Sequence, residues 1–300
     1  MDYLEVLELS TMSKSISSKL LSINELKTYI NNRELYIIDS KYSFDISSII
    51  IKKKCILLKL DFIRAIVEEN KIFIIDIKTD DFMVVKDNIK LSLENYDETK
   101  TFHLFFIDIL YTEISNYFEK IISNITPQIS NSIELIKNGN YVYKDFILLQ
   151  SKLLTIEYKI KELKTMTEEL LNNKDEIKEL NFKNNIDLFD TTEEMIENYY
   201  LKFQDLLNDV GRLTREMDNA QKIVNIDLAK KRNNYAIFSI YISITSLSVS
   251  IGSFIGSMFG MNLSNKMESS NLAFILVFIF SLVVIFFGVK LQNYFFIKFQ

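Results

Sequence analysis

The 300-residue chain is poor in the residues that form disulfides, zinc sites and sharp turns. It has one cysteine, one histidine, one proline, six glycines and no tryptophan. A single cysteine excludes a disulfide within the chain, and one cysteine with one histidine exclude a zinc site built from these two residue types. Cys55 precedes the apolar run 56–58, and His103 stands between Phe102 and Leu104. We therefore expect both residues to pack in a core.

Glycine loops and a strong positive charge are also missing. The first of the six glycines is Gly139, so the N-terminal part has no glycine loop of the kind that binds phosphate. The formal net charge of -5 gives nucleic-acid binding no electrostatic support. No nucleophile, base and binding loop converge, which makes an enzyme the least supported class. Residues 1–5 include acids, and neither a secretory signal nor a transit peptide is visible.

The sequence does contain two long uncharged runs near its C-terminus. The first covers residues 235–262 and the second residues 269–289, with a loop at 263–268 and a basic tail at 290–300. At about 1.5 Å per residue, each run is long enough as a helix to cross a hydrocarbon core of about 30 Å. The pattern predicts two transmembrane helices. The second is apolar on nearly every side, which is typical of a helix that faces lipid.

Serines of the first run recur at steps of three and four, and the next step falls on Gly260. This spacing places them on one side of a helix. They are Ser239, Ser243, Ser246, Ser250, Ser253 and Ser257. Two uses are open for this hydroxyl face, close packing between helices or the lining of a pore. Gly252 and Gly256 already supply a small-residue packing face, so we favour the pore lining.

The first span ends in Gly260-Met261-Asn262. This tripeptide resembles the Gly-Met-Asn signature of the CorA family of magnesium channels, which lies where the first of two C-terminal membrane helices ends. Its position here, at the end of a first span and before a short loop and a second span, makes the match specific. Phe259 and Leu263 replace the tyrosine and the aromatic residue that flank the signature in typical bacterial members.

Two further features are similar to the eukaryotic mitochondrial branch of that family. They are the segment Arg64–Val67 after the predicted strand at Cys55, and a helix that starts at Phe105. The resemblance covers most of the chain. It implies an α+β soluble N-terminal domain followed by long coiled-coil helices and two C-terminal transmembrane helices, assembled as a homopentameric channel.

The resemblance also implies how the ion is handled. Five copies of Asn262 would offer a ring of amide oxygens to hydrated Mg²⁺, which prefers six oxygens and gives up water reluctantly. Gly260 would let the backbone turn closely, and Met261 would support the turn. In the family the channel closes when internal Mg²⁺ binds between soluble domains. The acidic candidates for such sensing on the stalk are Asp205, Asp209, Glu216, Asp218 and Asp227; the alternative is a solvated coiled-coil face.

Residues 1–98 have the pattern of an α/β soluble domain. Ser22–Glu25 has the spacing of a capping box and predicts a helix through Ile30. Short apolar runs bounded by polar residues predict strands after that helix. These runs are Glu34–Asp39, Cys55–Leu60, Phe62–Glu68 and Lys71–Ile77.

Residues 99–190 have a helical pattern. A first helix is expected to end or bend near Pro127, and Asn-Gly-Asn at 138–140 predicts a turn. Residues 172–190 are predicted to be a polar turn region. The longer helix between these turns is marked by Phe146, Leu149, Leu153, Ile156, Ile160, Leu163 and Leu170, with Thr167 in one further place.

Residues 191–234 predict a stalk helix with a strict repeat of three and four, which indicates coiled-coil packing. The repeat consists of Ile196, Tyr199, Phe203, Leu206, Val210, Leu213, Met217, Ala220 and Val224. No turn signal separates Val224 from Tyr235. We therefore expect one helix of roughly 65 residues that continues through the first span to Gly260.

Basic residues flank the two spans on one side. Residues 230–232 (Lys-Lys-Arg) precede the first span, and Lys290 and Lys298 follow the second. The positive-inside rule places both termini on the cytosolic or matrix side. A mitochondrial inner membrane and a plasma membrane remain open. Arg232 falls on the hydroxyl face, where it would either line the inner mouth and oppose cations or contact lipid headgroups or anions.

Two other functions remain open. A zinc or cobalt transporter of the same superfamily is one, although such relatives vary the residue at Met261. A membrane tether, in which the coiled coil binds a partner and the spans only anchor it, is the other. Asn262-Leu263-Ser264 also has the form of a glycosylation sequon, but its place in the tripeptide argues against that use. The expected partners are further copies of the chain and membrane lipid, and not nucleic acid.

Overall fold

The computed structural model describes residues 3–10, 17–22, 25, 31, 34, 47–75, 80–94, 101–139, 143–182, 186–261 and 270–299. The chain divides into two compact units, Met1–Ala220 and Gln221–Gln300. The first unit contains a β-sheet and several helices. The second contains the C-terminal part of one long helix and the last helix of the chain.

In the described residues the sheet has six antiparallel strands in the order β2-β1-β6-β5-β4-β3. They are β1 (Tyr3–Ser10), β2 (Ser17–Ser22), β3 (Ser48–Ile51), β4 (Ile56–Leu60), β5 (Ile63–Val67) and β6 (Lys71–Ile75). The predicted strands at residues 55–60, 62–68 and 71–77 are confirmed as β4, β5 and β6. Every residue of β4 and β5 is buried, Lys59 and Arg64 included, and the other residues of both strands are apolar, which explains the apolar runs in the sequence.

The sequence did not predict β1, β2 and β3, and the expected order with a helix ahead of the strands is wrong. β2 has the polar sequence Ser-Ser-Lys-Leu-Leu-Ser and is held by pairing with β1, while β1 also pairs with β6. The pairing of β1 with β6 joins residues that are 61 to 69 positions apart, and sheet pairing of this kind outweighs local preference. Of the strand predicted at Glu34–Asp39, only Glu34 is described, and its N–H donates to the Asn31 carbonyl at 2.9 Å in a turn.

The capping box at Ser22–Glu25 is confirmed. The Ser22 N–H donates to Glu25 Oε2 at 2.8 Å, and the Glu25 N–H donates to Ser22 Oγ at 3.2 Å. The bond from the Ser22 N–H lowers the pKa of the Glu25 carboxyl. Beyond Glu25, the predicted helix through Ile30 lies outside the described residues.

Cys55 is buried in the core of the sheet, as predicted. It packs in one cluster with Val6, Leu57, Ile66 and Phe73. Burial raises the pKa of its thiol, which keeps the side chain protonated and unreactive at neutral pH.

Helix α1 spans Asp80–Glu94 and α2 spans Phe102–Lys137. The expected end near Pro127 is wrong, because α2 continues through it for a further 10 residues, from 128 to 137. Ile125 and Ile129 are buried on either side of the proline, and packing of this face offsets the roughly 3 kcal/mol that an interior proline costs. The turn predicted after α2 is confirmed at Gly139, which has φ +74°.

Helix α3 spans Tyr143–Asn172 and α4 spans Lys174–Leu180. The predicted polar turn at 172–190 is therefore partly wrong, since it contains α4 and the first residues of the next helix. Asn173 caps α4 by accepting the Glu176 N–H at 3.4 Å, and Ile177 and Leu180 are buried. These two apolar residues were too few to show a helical period in the sequence.

The long helix α5 spans Ile186–Phe259, 74 residues, and α6 spans Asn271–Phe299. The prediction of one helix through stalk and first span is confirmed, with an earlier start. All nine residues of the stalk repeat, from Ile196 to Val224, are buried. The C-terminal tail predicted after residue 289 remains helical to Phe299, because residues 291–299 contain neither glycine nor proline.

Candidate ion pathway

Two helices of the described part of the chain are long and apolar enough to cross a membrane. The first is α5, in which the uncharged residues 235–259 form the C-terminal part. The second is α6 from Asn271 to Lys290, with a mean hydropathy of 3.1. No residue of this apolar stretch of α6 is buried inside the chain. Its apolar side chains are therefore left to face lipid or further copies of the chain.

Within the second unit, α5 and α6 pack through small residues. Ser248 and Gly252 are the buried residues of α5 here, and a Cβ on Gly252 would lie 3.2 Å from two side-chain atoms of Ile285. Gly252 thus belongs to a packing face, as predicted. Gly256 does not, because a Cβ there would meet no atom within 4 Å. Within the single chain the prediction for Gly256 is wrong, because the contact with α6 lies one helical turn earlier in the sequence, at Gly252.

The hydroxyl face predicted from the serine spacing is uncovered. Ser239, Ser243, Ser246, Ser250, Ser253 and Ser257 are all exposed in the single chain. The face that packs on α6, at Ser248 and Gly252, lies on the other side of α5. Ser243 Oγ donates to the Ser239 carbonyl at 2.9 Å, and its exposed oxygen can still accept a hydrogen bond.

A half-open groove of about 510 Å³ separates α5 from α6 near the end of α5. On the α5 side it is lined by Gly252, Ser253, Gly256, Gly260 and Met261 among others. Aromatic and aliphatic side chains of α6 form the other wall. Ser253 is the one residue of the hydroxyl face that borders this groove.

The predicted signature lies at the C-terminus of α5. The Gly260 N–H donates to the carbonyls of Gly256 and Ser257, both at 3.1 Å, and closes the last helical turn. The Met261 side chain is exposed. Asn262 lies outside the described residues, so the amide ring stays a prediction.

At the other end of the first span, Arg232 is exposed. Its neighbour Lys231 forms an ion pair with Asp227 at 2.8 Å, one turn away on α5. Asp227, one of the five acidic candidates for Mg²⁺ sensing, is thus paired with a lysine of its own helix. The position of Arg232 on the surface is compatible with both of its predicted roles.

The remaining acidic candidates do not form a site within one chain. Asp205 and Asp209 are exposed, Glu216 pairs with Arg212 at 3.1 Å, and Asp218 accepts a bond from Gln150 at 3.5 Å. Among the described residues, no group of three or more histidine, cysteine, aspartate or glutamate side chains is placed to hold a metal ion.

A polar contact between α2 and α5 was not predicted from the sequence. Tyr199 Oη donates to the Asp108 carboxylate and lies 2.7 Å from Thr112 Oγ1. The Tyr199 ring packs on Tyr111, with 4.9 Å between ring centroids. Burial raises the pKa of both phenols, that of Tyr111 to about 12. Tyr199 is part of the predicted stalk repeat, but its partners lie about 90 positions away in sequence.

Comparisons with known proteins agree with this architecture. The family model described as magnesium transporter MRS2-like matches residues 9–232. The mitochondrial magnesium transporter MRS2 of Saccharomyces cerevisiae is 27% identical over 263 residues, which cover 84% of this chain and 56% of that protein. The mitochondrial inner membrane magnesium transporter MIT1 of Plasmodium berghei is 28% identical over 65% of this chain and 53% of its own length. Together with the two candidate spans, these relatives identify an integral membrane protein.

Among solved structures, the CorA magnesium transporter from Methanocaldococcus jannaschii matches with a TM-score of 0.61. The match covers 96% of each chain at 14% identity, so it shows a shared fold. The present chain spans a little over half the length of the curated relatives it matches. The resemblance to the CorA family and its mitochondrial branch is thereby confirmed: the chain belongs to the MRS2-like magnesium transporter family.

Proposed function

We propose that this chain is one subunit of a magnesium channel that lets Mg²⁺ enter passively, driven by the membrane potential. The observation that carries the proposal is the hydroxyl face of α5. Apart from Ser253, which borders the groove, it lies on the side of the helix away from α6, and it leads to Gly260 at the end of α5. Hydroxyl groups in the membrane suit a water-filled path, where they offer hydrogen bonds to a hydrated ion.

Several copies are needed, because two helices do not enclose a path. The CorA resemblance implies five copies around one axis, with the hydroxyl face inside and α6 outside. The mass of the full chain in a mild detergent tests this arrangement. Five copies are expected, and a monomer or a dimer at all protein concentrations would contradict it.

Selection of Mg²⁺ is proposed to take place at Asn262. This residue follows the last residue of α5 by three positions, so five copies would place five amide oxygens around the axis. Mg²⁺ holds its water shell tightly, and the amides would bind the ion through that water. Gly260 and Met261 would shape the backbone turn that leads to this ring.

The membrane potential is sufficient to drive uptake. A divalent ion that moves through 100 mV gains about 2 × 2.3, or ~4.6 kcal/mol, which corresponds to roughly three powers of ten in concentration. By the positive-inside rule, the flanking basic residues support a cytosolic or matrix location of both termini, with the signature on the other side. Since the relatives above are named as mitochondrial, the matrix side is the proposed location of the termini.

Regulation by internal Mg²⁺ is proposed to use acidic residues of the stalk. Asp205, Asp209 and Asp218 are the first candidates, and one chain does not assemble them with other ligands among the residues the structure describes. A sensing site would therefore be completed by a second copy. Asp205→Asn together with Asp209→Asn should weaken inhibition of transport by internal Mg²⁺, whereas Asp145→Asn on the exposed part of α3 should leave it unchanged.

Ion flux into liposomes tests the proposed function. The full chain should carry Mg²⁺, and Asn262→Ala should abolish that flux. Asn234→Ala is the matched control, since it removes an exposed amide before the first span. Flux of Zn²⁺ or Co²⁺ in preference to Mg²⁺ would favour a zinc or cobalt transporter of the same superfamily. If the chain carries no ion and its function in cells survives Asn262→Ala, the alternative of a membrane tether is favoured.

A further inference from the structure

Ser248 of α5 and Gly288 of α6 are in tight contact. A Cβ built on Gly288 would lie 1.9 Å from Ser248 Oγ and 2.6 Å from Ser248 Cβ. Both distances are well below 3.0 Å, and real Cβ atoms essentially never lie closer than that to another heavy atom. Any side chain at position 288 must therefore displace Ser248 or separate the two helices.

A second contact lies one turn away. Gly252 follows Ser248 by four positions on α5, and its neighbour Ile285 precedes Gly288 by three positions on α6. The two helices are thus antiparallel, with two contacts about one turn apart. Two such contacts fix both the register of the pair and the rotation of α5 about its own axis.

This rotation decides where the hydroxyl face points. At about 100° per residue, Ser246 and Ser250 each lie about 160° around the helix from Ser248. Ser248 Oγ donates to the Ile244 carbonyl at 2.8 Å, so its hydroxyl is satisfied within α5. The contact with Gly288 therefore acts through shape.

We propose that Ser248 and Gly288 are positioning residues, which hold α5 in the rotation that turns its serines away from α6 and toward the ion path. The role of this rotation in the ion path rests on the function proposed above. The Ser248 side chain occupies the space that a Cβ on Gly288 would need. A methyl group at position 288 would therefore rotate or shift the hydroxyl face.

The reactivity of single introduced cysteines tests the proposal on the full chain in liposomes. Cys55 is 2% exposed, so a membrane-impermeant methanethiosulfonate reports on the introduced residue. Ser250→Cys should react at least about tenfold faster than Ile251→Cys, because the two side chains point about 100° apart. Gly288→Ala should bring this ratio close to one and lower Mg²⁺ flux at least about fivefold, as expected for an overpacked contact.

Rescue by Ser248→Gly separates positioning from simple loss of stability. In the double variant Gly288→Ala, Ser248→Gly, removal of the serine side chain makes room for the methyl group. Both the cysteine reactivity ratio and the Mg²⁺ flux should then recover. Gly256→Ala is the matched control, because a Cβ there meets open space, and it should change neither readout. Should Gly288→Ala fail to fold, Ser248→Val overfills the same contact from α5 and should shift the ratio in its place.

An unchanged ratio in both Gly288→Ala and Ser248→Val would overturn the proposal. A ratio that Ser248→Gly does not restore would overturn it as well. The reactivity ratio needs water along the hydroxyl face but no flux of Mg²⁺. A chain that shows the expected ratio without Mg²⁺ flux would contradict the proposed function, while the effect of Gly288→Ala on its ratio would still test the contact between Ser248 and Gly288.

Discussion

Lys159 Nζ on α3 lies 3.0 Å from the Asp61 carboxylate, in the turn between β4 and β5. The two residues are 98 positions apart, and their ion pair joins the helices of the first unit to its sheet. The Asp61 side chain is only 9% exposed, and its backbone has φ +51°. The Asp61 N–H donates to Ser47 Oγ at 3.1 Å, which holds the turn in place.

Removal of the lysine should destabilise the first unit. Lys159→Met keeps the length of the side chain but leaves a nearly buried carboxylate without this partner, and we expect a loss of about 1–3 kcal/mol in the free energy of unfolding. Asp61→Asn should cost less, since it removes the charge and tolerates the positive φ. Chemical unfolding of the full chain in detergent measures both. Equal stability of Lys159→Met and the unaltered chain would contradict this role.

The stalk repeat gives a prediction with an internal control. Leu213 is completely buried, whereas Leu201 on the same helix is 51% exposed. Leu213→Ala should lower the free energy of unfolding by about 2–5 kcal/mol, because it leaves a cavity. Leu201→Ala should change it by no more than about 0.5–1 kcal/mol. Similar losses of stability for the two variants would contradict the burial of Leu213 in the stalk repeat.

The buried phenols predict a loss of stability at alkaline pH. Burial raises the pKa of Tyr111 to about 12, and burial followed by the Asp108 bond raises that of Tyr199. A phenol in the unfolded chain ionises near pH 10. A raised folded-state pKa means that the neutral form stabilises the fold fully below about pH 10, and that this contribution disappears as the pH rises to about 12.

Unfolding curves between pH 9 and 12 test this prediction, with tyrosinate absorbance as a second readout. The stability of the unaltered chain should fall more steeply over this range than that of Tyr111→Phe, which has no phenol to ionise there. Parallel curves for the two proteins would contradict the burial of the Tyr111 hydroxyl.

The sequence predicted the parts of the fold that depend on local periodicity. Every position of the stalk repeat from Ile196 to Val224 is buried, and the strands β4 to β6 lie where the sequence has short runs rich in apolar residues. The hydroxyl face of α5 also follows directly from spacing, because one continuous helix preserves the phase of its serines. Long helices and fully buried strands are thus the elements whose sequence signal is strongest.

Features that depend on contacts between distant residues were not predictable. Nothing local marks β2 as a strand, because its conformation depends on pairing with β1, which itself pairs with β6 more than 60 positions away. Pro127 favours a helix end, and burial of its neighbours outweighs that preference. In the candidate ion path, Ser248 is off the serine repeat and Gly288 is an isolated glycine in an apolar run. Only the antiparallel pairing of α5 and α6 gives these two residues a shared role.

The most direct test of the ion path is block of Mg²⁺ flux by a charged, membrane-impermeant thiol reagent in proteoliposomes. We expect block of Ser250→Cys, where the attached cation would lie in the path, and little change in Ile251→Cys on the adjacent face. Block of Ile251→Cys with none of Ser250→Cys would show that ions do not pass along the hydroxyl face of α5.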